Sequence, residues 1–179
     1  MEFIVAQAIS VLTTIAAILS MQFKSMKPVL WCQILSNLLC ATTFILLDAF
    51  SGSIICLIAI VQCLVIFAYN TKDRKPPLAV ILGFILLYIA ASVFLFQSFA
   101  DIFSAMAAVI FAIGMTQKKA SAARLWYVAN PLFWIVYDLF SMAYGNIITH
   151  SLIFISTLIG IIRLDLPEYR KKKKENADG

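Results

Sequence analysis

Two groups in this sequence are suited to moving a proton: Asp138, set inside a long apolar run, and His150, the sole histidine. Asp138 lies seven residues before Gly145 and His150 five after it. On two helices joined by a turn at that glycine, a rise of 1.5 Å per residue puts the two side chains at depths differing by about 3 Å. Facing each other, they form an ion pair or a neutral hydrogen bond, and histidine titrates near neutral pH. Such a pair reads as a solute-binding or proton-responsive site, or as a structural bond between helices worth about 1 kcal/mol. Asn37 and Asn130 are the next candidates, because an amide both donates and accepts and so suits a hydroxyl-rich or amide solute. Each is equally able to satisfy a nearby backbone group, and Asn130 precedes Pro131, which leaves a carbonyl one turn earlier without its usual donor. Trp134 lies one turn from both Asn130 and Asp138, where it can wall a cavity or pack in the core.

Other chemistries find little to work with. Cys32, Cys40, Cys56 and Cys63 form no CxxC motif and have no histidine at metal-ligand spacing, so they read as small buried apolar residues. There is no glycine-rich phosphate loop, and no serine or cysteine is marked as a nucleophile. The expectation is a protein that is not an enzyme and carries no metal or cofactor.

The elements that must hold these residues follow from composition. Of 179 residues, 63% are hydrophobic and only 13% charged. A soluble domain of this size cannot hide so much apolar surface, and a disordered chain is poor in it. An all-α integral membrane protein remains. Runs long enough to cross about 30 Å of hydrocarbon fall at Phe3–Met21, Val29–Leu47, Ser53–Tyr69, Pro77–Phe96, Phe99–Met115, Arg124–Tyr144 and Asn146–Leu164. They are continuous and longer than the alternating segments of a barrel. Phe3–Met21 has no positive flank and exceeds the apolar core of a signal peptide, so it reads as a retained span.

Charge supplies the orientation. Lys24 and Lys27 follow the first run, Lys72, Arg74 and Lys75 the third, and Lys118, Lys119 and Arg124 the fifth. Arg163, Arg170 and Lys171–Lys174 follow the seventh, completing the 14 basic residues. With seven crossings all lie on one side, opposite Glu2, Asp48 and Asp101, which puts the amino terminus outside and the carboxyl terminus in the cytoplasm. Residues 1–164 then form one transmembrane domain, and residues 165–179 a basic cytoplasmic tail. Beside the bilayer, Lys171–Lys174 would attract anionic lipid by about 1 kcal/mol per charge. No aromatic residue interrupts the lysine run to stack a base, so nucleic acid is not an expected partner. The tail reads as disordered.

Helical spacing gathers the polar residues on stripes. Asn130, Trp134, Tyr137, Asp138 and Ser141 share one face of the sixth run. Asn146, Thr149, His150, Ile153, Ser156 and Thr157 share one of the seventh, and Gln33, Asn37, Ala41, Phe44 and Asp48 one of the second. The fourth run has only Tyr88 and Ser92, as befits a peripheral linker. Trp31, Trp126, Tyr69, Tyr127 and Tyr144 lie near run ends and read as interfacial anchors. A shift of 93 residues lays runs two and three on runs six and seven without a gap, matching Asn37 to Asn130 and Gly52 to Gly145. Under it, the counterparts of Asp138 and His150 are Ile45 and Leu57. The arrangement is 3+1+3: a first repeat over residues 3–69, a linker helix at 77–96, and a second repeat over 99–164. An odd linker makes the repeats parallel.

A 3+1+3 chain with its amino terminus outside is similar to the SWEET and PQ-loop transporters. More closely, nearly the whole chain resembles the YgjV-like family of bacterial inner-membrane proteins. The resemblance is carried by Gln33-Ile34-Leu35-Ser36-Asn37-Leu38-Leu39, by Trp134-Ile135-Val136-Tyr137-Asp138 with Gly145, and by Arg163. It implies architecture more than activity. No Pro-Gln pair occurs, and only Pro131 lies inside a run, so the prolines of both SWEET halves have no counterpart pair here. The leading expectation is a small-solute transporter or facilitator whose site lies between the halves. Asn37 and Asn130 would contact the solute, Trp134 pack on it, and Asp138 with His150 shape the outer vestibule. The alternative is a non-transporting scaffold or partner-binding subunit.

Overall fold

The computed structural model describes residues 2–46, 50–96, 98–140 and 144–176. Every regular element among the described residues is helical. The first five are α1 (Glu2–Ser20), α2 (Met26–Leu46), α3 (Phe50–Thr71), α4 (Leu78–Phe94) and α5 (Asp101–Met115). They are followed by α6 (Ala120–Tyr127), α7 (Asn130–Phe140), α8 (Tyr144–Gly160), a π-helical turn (Ile161–Asp165) and α9 (Leu166–Glu175). Met26–Leu46, Ser53–Thr71 and Asn146–Lys171 are each long and apolar enough to cross a bilayer, with mean hydropathies of 1.8, 2.3 and 1.9. Ala8–Ser20, Leu78–Phe94 and Asp101–Met115 are apolar but shorter.

Two of the expected runs are built differently. The sixth, expected as one helix from Arg124 to Tyr144, is broken between Tyr127 and Asn130. Pro131 has no amide hydrogen, and its ring excludes the carbonyl four residues back, that of Tyr127. The backbone tightens there: the Ala129 amide donates to Trp126, three residues back, at 3.2 Å. Tyr127 is no interfacial anchor but a buried residue, its ring 6.2 Å from that of Phe111. The seventh run continues past the membrane boundary expected at Leu164. Its helix widens into the π-turn and resumes as α9, so the tail is helical to Glu175 rather than disordered.

Packing is sequential within two groups. Helix α2 lies against α1 and α3, while α7 lies against α5 and α8. Between the groups, α1 meets α8 and α3 meets α5. Small residues permit close approach in lipid, and Ala107, Ala108, Ala112, Ala120 and Ala123 are buried accordingly. At Gly160 the backbones themselves touch, since a Cβ there would lie 2.6 Å from the Met21 carbonyl oxygen. Val11, Ile15, Leu19, Leu82, Leu86 and Val93 are exposed, an apolar coat suited to acyl chains.

Helix α4 is tied more firmly than a peripheral linker. Tyr88 is buried, and its hydroxyl donates to Gln62 Oε1 of α3 at 3.1 Å. Gln62 Nε2 in turn donates to the Ala112 carbonyl of α5 at 2.9 Å. One polar junction thus joins α3, α4 and α5.

Candidate functional site: the polar interior

Helices α7 and α8 bring Asp138 and His150 together, with Nδ1 of the imidazole 2.6 Å from Asp138 Oδ2. Asp138 is 1% exposed, and its Oδ1 is a buried oxygen without a hydrogen-bond partner among the described residues. Trp134, one turn before Asp138 on α7, stacks on the imidazole with centroids 5.5 Å apart and planes 10° from parallel. Tyr137 meets Trp134 edge-on at 5.6 Å. The i, i+4 spacing of Trp134 and Asp138 sets ring and carboxylate on the same face. With Nδ1–H directed at the carboxylate, a neutral imidazole offers Nε2 as an acceptor, and an imidazolium offers it as a donor. One proton therefore reverses the hydrogen-bonding sense of the site.

The two asparagines do not join this pair. Asn130 is buried, and its Nδ2 donates to the Ala107 carbonyl of α5 at 2.7 Å, pinning the chain break to its neighbour. Asn37 is half-buried and donates to the Gln33 carbonyl of its own helix at 2.8 Å. In the first group Ser36 Oγ of α2 donates to the Thr13 carbonyl of α1 at 3.2 Å. Donor and acceptor are each displaced by 94 residues between the two ties, one residue from the 93-residue match.

A polar seam runs between α1 and α8. Thr14 Oγ1 approaches Thr149 Oγ1 at 3.5 Å, beside His150 in sequence. Farther along, Ser156 Oγ donates to the Ile18 carbonyl at 3.0 Å, and Gln22 Nε2 donates to the Ser156 carbonyl at 2.7 Å. The expected stripe on the seventh run included Thr149 and Ser156 but offered no partner for them. Asp48 and Ser141, also expected on stripes, lie outside the described residues, as does the Tyr144 side chain.

At the end where the seam reaches Gln22, the basic connections gather. Arg124 is 2% exposed. Its Nε donates to Asp165 Oδ2 at 2.9 Å, and Nη2 to Asp165 Oδ1. Nη1 donates to the carbonyls of Phe23 at 2.6 Å and Met21 at 3.4 Å. One guanidinium thus holds α6, the π-turn and the end of α1 together. The available signal was the interruption of the buried face Ala120, Ala123 and Tyr127 by a charge. Nearby, Lys118 Nζ lies 2.8 Å from Asp73 Oδ1, linking the α5–α6 and α3–α4 connections. The Lys118 ammonium, through its hydrogen bond and its charge, holds the Asp73 carboxyl below its usual range. Among the described residues no group of three or more His, Cys, Asp or Glu side chains is arranged to hold a metal.

Residues 4–168 match the family Imp-YgjV, described as bacterial inner membrane protein. The chain belongs to this family, and it is a multi-pass protein of the bacterial inner membrane. Comparison with curated proteins and with solved structures yields no match.

Proposed function

We propose that this inner-membrane protein is a small-solute transporter or facilitator, with its pathway between a half made of α1–α3 and a half made of α5–α8. The observation that carries this reading is the buried pair Asp138–His150, one of whose carboxylate oxygens lacks a donor among the described residues. Ionisable groups within a membrane are costly and mark solute or proton pathways. The adjoining α1–α8 seam supplies further hydroxyl and amide groups between the halves.

The pattern of helix contacts supports parallel repeats. Exchanging α1, α2 and α3 for α5, α6–α7 and α8 turns the α1–α8 contact into α5–α3, which is also present. Helix α4 is then the linker of a 3+1+3 chain. Lysines and arginines gathered at one end support a cytoplasmic assignment for that end and an external amino terminus. In this state the Arg124–Asp165 latch closes the cytoplasmic mouth. Asn37 and Asn130 hold backbone carbonyls until the halves separate, then exchange them for solute. The backbone break before Pro131, present in the second half, takes the place of the SWEET-like pair of prolines.

A scaffold or partner-binding subunit is the second reading, favoured by one observation: both asparagines already have backbone partners. Thermal unfolding of the purified protein against sugars, amino acids, nucleosides and vitamins separates the two. A ligand at 100 times its Kd adds about 2.7 kcal/mol to the native state. Transport predicts that one class stabilises the wild type and not Asn130→Ala. No stabilisation by any class transfers the assignment to the scaffold.

A further inference from the structure

The latch end holds a cavity of about 680 Å3, which Arg124 and Asp165 themselves help to line. It opens between the α1–α2 connection, the end of α3, the α5–α6 connection and the π-turn with α9. Its lining carries five cations and three carboxylates. Two of the carboxylates are already neutralised, Asp73 by Lys118 and Asp165 by Arg124. That leaves Lys24, Lys27 and Lys119 in excess over Glu168, with Lys27 also acting at longer range on the Asp73 carboxylate, and none of the three lysines makes a close salt bridge among the described residues.

Backbone groups add to this excess. Helices α2 and α6 both begin at the cavity, which is lined by Met26 and Lys27 of one and Ala120 and Ser121 of the other. Lys119 stands at the N-cap of α6 in an extended conformation and gives no side-chain cap, so the first-turn amides there have no side-chain acceptor. An uncapped first turn such as that of α6 favours an anion through its N–H groups and the helix dipole. Three ammonium groups around a wide cavity suit a group with several charged oxygens that accepts from many directions.

We propose that this cavity binds a phosphate group, either free on a small molecule or as the headgroup of a phospholipid in the adjacent leaflet. The site is separate from the Lys171–Lys174 tail and does not depend on transport.

The test uses the full chain in a neutral detergent, with two probes. Inorganic phosphate is titrated against chloride at matched ionic strength with thermal unfolding as readout. Phosphatidylglycerol retention is measured by native mass spectrometry. The variants are Lys24→Gln/Lys27→Gln/Lys119→Gln and, as a control for simple surface charge, Lys171→Gln/Lys173→Gln. At about fivefold per lysine near a membrane surface, the triple variant loses about a hundredfold in affinity for whichever probe binds, and the tail variant keeps most of it. Binding of phosphate assigns a free phosphate group, and binding of the lipid alone assigns a headgroup. The single variant Lys119→Gln repeats the test with the least disturbance of folding, and about a fivefold loss is expected. The proposal is overturned if neither probe binds the wild type above chloride, or if the triple variant binds as the wild type does.

Discussion

Replacing Arg124 with methionine keeps an unbranched apolar stem about as long as the arginine's own and deletes the guanidinium. Four donations disappear: two to the Asp165 carboxylate and one each to the Phe23 and Met21 carbonyls. The Asp165 side chain, 17% exposed, keeps its charge without its counter-ion. Breaking a buried pair from one side costs about 3–5 kcal/mol, because the remaining charge is uncompensated. For a chain of this length each kcal/mol moves the melting temperature by about 2–4 °C, so a fall of about 6–20 °C is expected. The double variant Arg124→Met/Asp165→Leu removes both charges, and replacing a buried ion pair with apolar groups of similar volume is often nearly neutral. It should therefore melt well above the single variant. Intrinsic fluorescence during heating of the detergent-solubilised protein reads all three. A single variant within 1–2 °C of wild type, corresponding to under about 1 kcal/mol, refutes the latch. A double variant less stable than the single refutes the uncompensated-charge explanation.

Other perturbations test separate contacts. Gly160→Ala places a methyl 2.6 Å from the Met21 carbonyl oxygen and should cost about 1–3 kcal/mol through overpacking. Gly83→Ala meets nothing within 4 Å and should be neutral or stabilising, so equal melting temperatures for the two would contradict the close approach. Gln62→Leu strands the buried Tyr88 hydroxyl and loosens α4, at about 1–3 kcal/mol. Protease cleavage in the connections flanking α4 should accelerate, and an unchanged cleavage rate would argue against the junction. Asp73 is held below its unfolded pKa by Lys118, so its contribution is present above that unfolded value and lost as pH falls through the folded one. Asp73→Asn retains a residue tolerant of the left-handed φ of 51° while removing the charge. Wild type should therefore melt slightly above the variant at neutral pH, and the gap should close as pH falls below the unfolded aspartate value of about 3.9 and through the lower folded one.

Much of the architecture was legible because lipid makes length and hydropathy decisive. The apolar runs and the observed helix ends mostly agree within a few residues, and the spacing about Gly145 anticipated the meeting of Asp138 with His150. Pro131 was in plain view, but a bilayer helix tolerates proline when neighbours satisfy the freed groups. The break is set by tertiary contacts as well, such as Asn130 Nδ2 donating to the Ala107 carbonyl on another helix. Arg124 counted toward orientation because that rule weighs charge and ignores burial. The Gln62–Tyr88 junction joins residues 26 apart on different helices, and periodicity examines one helix at a time. Tyr127 sits beside a run end in sequence, yet the break after it turns the ring inward against Phe111.

The most direct test of passage between the halves is solute flux into proteoliposomes across the same panel of sugars, amino acids, nucleosides and vitamins, at several pH values. Wild-type protein should accelerate entry of one solute class, and Asp138→Asn, which removes the carboxylate charge facing His150, should alter the pH dependence of that entry. Flux with an unaltered pH profile would contradict a protonic role for the pair. Folded, correctly inserted protein that moves no solute at any pH would contradict transport itself.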